Sequence, residues 1–323
     1  MTLERDGALA IMTLDSPPLN LFDEAMLASL REAVAAVAAD PPRGLLVRAE
    51  GRAVSGGVDV HLFDGLGVED AAALWRELLD LIHTVEELPL PTVFAAHALC
   101  LTAAFELSLA CDLLLAAESA RFGLVETVVG LTPAMGGTQR LAERAGPARA
   151  RELVMTGELF DAATLERWNV VNRVLPDEGF GEAALAFARG LADGPTRAHA
   201  ATKAIVRAQV EGGARAADER VPELAGDCSA PRTCRAPSGR SSRTGRATRR
   251  TPGADDRVGA GLHHAIFAGR SSSCRACGAG QGTDRTVRVR GDSPRARGWP
   301  RSRPARRRRR RWPPRRTRRR SPW

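Results

Sequence analysis

The chain predicts an α/β domain followed by a segment of a different physical kind, and three observations carry that reading. Apolar runs of strand length alternate with amphipathic stretches of helical period through the first two-thirds of the sequence. Asp, Pro and Gly mark the ends of those stretches, as capping and turn chemistry requires. The charge also divides by position. Residues 1–224 hold 19 basic and 33 acidic side chains, net −14, whereas 225–323 hold 28 arginines, no lysine and five aspartates, net +23. With 323 residues the chain has room for one large domain and a substantial core.

Residues 8–14 form an apolar run closed by Asp15-Ser16-Pro17-Pro18, which reads as a strand and a turn. Asp23 is placed to cap a helix over 24–39, whose Met26, Leu27, Leu30, Val34 and Val37 make an apolar stripe, and Pro41-Pro42 ends it. Strands follow at 44–49 and 92–96, separated by a Gly-rich turn at 55–59 and an amphipathic helix over 70–88. Beyond them, 103–110 reads as a buried helix, 112–117 as a strand, and 136–145, 147–156, 161–168 and 180–192 as helices, with a short strand at 170–174. Pro195 suits the start of a last helix running to about residue 210.

From about residue 225 these signals fade into Arg, Ser, Pro, Gly and Thr, and such a composition buries too little apolar area to offset chain entropy. Disorder is the expectation for 225–323, and its arginine-only basicity reads as a product of GC-rich codons translated out of frame. Its arginine blocks, with Trp299, Trp312 and Trp323 among them, would bind nucleic acid non-specifically and salt-sensitively. Cys228, Cys234, Cys274, Cys277, His263 and His264 match no compact zinc spacing, so no metal site is expected. The N-terminus lacks the basic start and apolar run of an export signal, which points to a reducing cytoplasm. The apolar stretch 88–105 is broken by Pro89, Pro91 and His97 and reads as core, so no membrane span is expected; Cys100 and Cys111 read as small buried hydrophobes.

Two carboxylates stand in apolar surroundings: Glu106 in Ala103-Ala104-Phe105-Glu106-Leu107, and Glu126 in Leu124-Val125-Glu126-Thr127-Val128. A carboxylate so placed is costly unless paired, solvated or shifted in pKa, and such settings are where acid–base chemistry is done. The plain alternative for each is a glutamate turned to solvent. His61, His83, His97 and His199 show no nucleophile–base spacing.

The neighbourhoods of these residues carry a resemblance. Val54-Ser55-Gly56-Gly57-Val58-Asp59-Val60, Phe105-Glu106-Leu107-Ser108-Leu109-Ala110-Cys111-Asp112, and the block running from Phe122-Gly123 through Gly130-Leu131-Thr132-Pro133 to Gly136-Gly137-Thr138-Gln139-Arg140-Leu141 resemble motifs of the crotonase superfamily, the enoyl-CoA hydratases and isomerases. Leu19-Asn20 with Met26, and Leu153-Val154-Met155-Thr156-Gly157, fit the same order, so the resemblance spans about residues 5–215.

The resemblance implies a spiral of β-β-α units and a reaction on an acyl-CoA thioester. It places an oxyanion hole at the backbone N–H groups of Val58 and Ala103, and CoA or acyl contacts at Gly56, Gly57, Val60 and Ala134. Glu106 would activate the water that adds at the β-carbon, and Glu126 would deliver a proton to the α-carbon. Asp59 is expected to hold the turn. No cofactor beyond the CoA of the substrate is implied, and a homotrimer or dimer of trimers is, if the C-terminal end permits it. Retention of both glutamates favours hydration over isomerisation. The alternative of another class is a non-catalytic protein whose working end is the basic tail. The chain departs from the family at Leu101-Thr102-Ala103-Ala104, where glycines are usual, at His97-Ala98 in place of Asn-Gly, and at Ala134.

Overall fold

The computed structural model describes residues 1–229. Within them a hairpin, β1 (Thr2–Asp6) and β2 (Leu9–Leu14), leads to α1 (Glu24–Ala39). Three units then repeat one plan, two strands and a helix. They are β3 (Gly44–Ala49), β4 (Ala53–Ser55) and α2 (Val68–Glu87); β5 (Thr92–Ala96), β6 (Leu99–Leu101) and α3 (Thr102–Ala110); and β7 (Leu113–Ala117), β8 (Arg121–Gly123) and α4 (Gly137–Ala145). The chain continues through α5 (Pro147–Thr156), β9 (Phe160–Asp161), α6 (Ala162–Arg167), β10 (Arg173–Leu175), α7 (Phe180–Asp193) and α8 (Thr196–Ser229).

Each unit sends its first strand to one sheet and its second to another. The larger sheet has the order β1-β2-β3-β5-β7-β10, parallel except for the β1–β2 hairpin; the smaller has the order β4-β6-β8-β9. This is the expected spiral of β-β-α units. All residues of β2 and β5 are buried, which suits parallel strands covered on both faces and explains sequences that are apolar but for Thr13 and Thr92. All nine residues of α3 are buried too, so this helix shows no polar stripe. Asp23 accepts a hydrogen bond from Met26 N–H at 2.7 Å and caps α1 as its sequence predicts.

Most predicted elements lie within two residues of their places. The exceptions have local causes. β4, β6 and β8 have three residues each, too few to display a strand period. The strand expected at 170–174 forms at Arg173–Leu175, because Val170 and Val171 are buried in the turn that follows α6. The last helix runs past residues 210 and 224 to Ser229, broken at Gly213 by φ +78° and ψ 178°. The stretch 88–105 supplies β5, β6 and the start of α3, and among the described residues no helix is long and apolar enough to cross a membrane. Cys100 and Cys111 are buried and unpaired. The expectations for the arginine blocks, their tryptophans and the Cys–His set beyond Cys228 lie outside the described residues.

Candidate active site

The Gly-rich turn between β4 and α2 is fixed from behind by the strap ahead of α1. The Asn20 side-chain amide donates to the carbonyls of Glu50 (2.9 Å), Ala53 (3.0 Å) and Val54 (3.3 Å), while its oxygen accepts Ser16 N–H. Ser55 Oγ donates to Asn20 O at 2.7 Å and accepts Gly57 N–H at 2.9 Å. Phe22 N–H donates to Gly57 O at 2.9 Å. Gly57 sits at φ +108°, a conformation open to glycine at little cost. Asp59 accepts His61 N–H at 3.1 Å and caps the short 3-10 turn Val60–Phe63, the structural role expected of it.

Opposite this turn, α3 carries Glu106 at 2% exposure. Its Oε2 accepts two backbone N–H groups, from Met135 at 2.9 Å and Gly137 at 2.7 Å. A Cβ on Gly137 would lie 2.6 Å from Glu106 Cγ, so only glycine lets the backbone come this close. The loop is anchored in turn by Arg140, which donates to Gly136 O at 3.2 Å and to both carboxylate oxygens of Glu86. Burial, and then the charge of Glu126, push the Glu106 carboxyl up to about 8 against the pull of its two N–H partners.

Glu126 begins a 3-10 turn, Glu126–Val129, just after β8. Thr127 Oγ1 ties that turn to Val154 O at 3.1 Å. Burial pushes the Glu126 carboxyl up to about 7, and its Oε2 is buried with no hydrogen-bond partner. Both glutamates line one cavity of about 250 Å³. Two interacting carboxyls raised toward neutrality titrate as a pair and can hold one proton between them.

The same cavity is lined by Gly56, Val58, Val60 and Ala134, with Leu74, Trp75 and Val129 among its apolar walls. Gly57 and Ala103 are not lining residues. Ala103 is fully buried in the first turn of α3, where its N–H has no intrahelical partner and no side chain caps the helix. The Val58 amide, expected as an oxyanion donor, meets a side chain that lines the same cavity: Val58 N–H donates to Thr102 Oγ1 at 3.1 Å. Among the described residues no cluster of three or more His, Cys, Asp or Glu is arranged to hold a metal ion.

Sequence reasoning missed the Met135 and Gly137 amides, the Glu86–Arg140 support and the hydroxyl of Thr102. The first two depend on long-range contacts that no local motif encodes. The third was visible only as a threonine standing where glycine is usual.

Comparison with known proteins agrees with this geometry. A sequence profile described as enoyl-CoA hydratase/isomerase matches residues 4–222. A protein of Rhizobium meliloti (strain 1021) named "Probable enoyl-CoA hydratase" is 32% identical over 194 residues, covering 59% of this chain and 75% of the relative. One of Bacillus subtilis (strain 168), with the same name, is 34% identical over 160 residues, 49% of this chain; the chain spans 62% of that relative's length. The crystal structure of an enoyl-CoA hydratase from Mycobacterium smegmatis superposes with a TM-score of 0.67 at 27% identity, covering 71% of this chain and 91% of that one. One from Bacillus anthracis gives 0.65 at 26% identity, covering 70% and 89%. With its β-β-α spiral and a profile match over most of its described residues, the chain belongs to the enoyl-CoA hydratase/isomerase family.

Proposed function

We propose that this chain catalyses the reversible addition of water to a 2-enoyl-CoA thioester. One observation carries the reading: two carboxyls, both raised toward neutrality, face a single largely apolar cavity. Hydration needs that arrangement, because a base must take a proton from water while an acid gives one to carbon. The ionised carboxyl of the pair removes a proton from water as the oxygen bonds to the β-carbon. The π electrons move onto the thioester oxygen as an enolate. The protonated carboxyl then delivers its proton to the α-carbon, and the pair ends with one proton, as it began. We assign water activation to Glu106 and α-protonation to Glu126. The proton rests on Glu106, which ionises near 8 against about 7 for Glu126, so the reactive form is the less populated one in which the shared proton has passed to Glu126.

The enolate oxygen would sit between the Gly-rich turn and the first turn of α3, where the Ala103 N–H and the positive end of the helix favour negative charge. The apolar walls suit an acyl chain, and Gly56, Val60 and Ala134 stand where the thioester and its CoA would pass. The thioester is itself the electron sink, so this chemistry calls for no resident cofactor.

The test is loss of the conjugated-thioester absorbance of crotonyl-CoA with the full chain. Glu106→Gln and Glu126→Gln should each depress the rate by about 10²–10⁴-fold, the usual contribution of a positioned acid or base. Unchanged turnover in both would remove the mechanism.

A further inference from the structure

The threonine standing where the family's glycine is usual lies inside the site rather than beside it. Thr102 is the first residue of α3, has φ +45° and is 6% exposed, yet it lines the same cavity as both glutamates. Positive φ is a genuine outlier for a β-branched residue, so the surrounding structure holds this side chain in place. Its Oγ1 accepts Val58 N–H at 3.1 Å. It is also packed against Gly57, where a Cβ would lie 2.6 Å from it. Among the described residues nothing accepts the hydroxyl's own proton. A buried hydroxyl with one lone pair committed and its proton unclaimed is a donor waiting for an acceptor.

We infer that Thr102 is itself an oxyanion donor, its hydroxyl standing in for the Val58 amide. The inference rests on the proposed acyl-CoA chemistry. Val58 N–H donates to Thr102 Oγ1, which polarises the hydroxyl, and the hydroxyl donates its proton in a hydrogen bond to the thioester oxygen. No proton is transferred in this contact. The charge that develops on the oxygen is met by an O–H⋯O⁻ bond backed by the amide, a shorter and stronger bond than a neutral pair makes.

Three variants of the full chain separate this role from the alternatives. Thr102→Val keeps the shape and the β-branch but removes the donor, Thr102→Ser keeps the donor, and Thr102→Gly frees Val58 N–H. With an enoyl-CoA substrate, Thr102→Val should lose about 10²–10³-fold in kcat with KM little changed, the usual cost of one oxyanion donor. Thr102→Ser should stay within about tenfold of wild type, and Thr102→Gly should fall between wild type and Thr102→Val. In parallel, infrared spectra of bound butyryl-CoA, which cannot be hydrated, should show a thioester C=O stretch that moves to higher frequency in Thr102→Val and not in Thr102→Ser.

A Thr102→Val variant equal to wild type in both readouts overturns the inference. So does a Thr102→Gly variant at least tenfold faster than wild type, since the hydroxyl would then be a plug. If Thr102→Val does not fold, the comparison of Thr102→Gly with wild type decides alone. A Thr102-dependent carbonyl shift without turnover upholds the donor and refutes only the hydration reading. No bound carbonyl band in the wild-type chain overturns both.

Discussion

Replacing Glu106 by Gln should make the protein more stable as the pH rises, whatever it does to activity. In the fold the carboxyl ionises near 8, raised first by burial and then by the Glu126 charge, against an ordinary value of 4.5. Below pH 4.5 the group is protonated in both folded and unfolded chains and contributes nothing to pH dependence. Between 4.5 and 8 the folded chain keeps a proton that the unfolded chain releases, so wild-type stability falls through that window. Above 8 both states are ionised and the penalty is constant. At 1.36 kcal/mol per pH unit the whole window amounts to roughly 5 kcal/mol. Gln is isosteric, and its carbonyl oxygen can still accept Met135 and Gly137 N–H, so the variant escapes the ionisation cost without leaving a cavity. Urea titrations of both proteins at pH 5 and pH 8.5 read the difference directly. The gap in unfolding free energy should widen by several kcal/mol toward high pH in favour of Glu106→Gln, with unchanged m-values. Parallel stabilities at the two pH values would mean that Glu106 is ionised throughout, and the shared-proton picture would fail.

Three further outcomes follow from the site. Turnover needs one carboxyl ionised and one protonated, so kcat against pH should be bell-shaped, rising to about 7 and falling beyond about 8; a flat profile from pH 6 to 9 would contradict it. Gly137→Ala places a Cβ 2.6 Å from Glu106 Cγ, and should cost about 1–3 kcal/mol in urea unfolding while depressing hydration. Asn20→Ala strips donors from three carbonyls behind the Gly-rich turn, and should cost about 1–3 kcal/mol with a rise in KM, whereas wild-type kinetics would show that the strap does not position the turn.

The long elements were legible because their physics is local. Asp23 caps α1, an apolar stripe defines its buried face, and Pro41-Pro42 follows its end. β3 and β5 were plain as apolar runs, since parallel strands covered on both faces leave no polar alternation to interpret. The smaller sheet was not legible, because β4, β6 and β8 are three-residue strands held by partners 20 or more residues away. At the site, the carboxylates stood out because Glu106 and Glu126 interrupt apolar sequence at a price that folding has to recover. What tunes them did not. Met135 and Gly137 reach Glu106 from 29 and 31 residues away. The Val58–Thr102 contact joins residues 44 apart, so the sequence could mark Thr102 as unusual without saying what its hydroxyl meets.

The chemistry is tested most directly by the fate of one solvent deuteron. With 2-hexenoyl-CoA in D2O, NMR of the products should show 3-hydroxyhexanoyl-CoA carrying a single deuterium at the α-carbon, formed by the wild-type chain and lost in Glu126→Gln. A double bond moved to the 3-position, or substrate recovered without deuterium, would contradict the addition of water at this pair of acids.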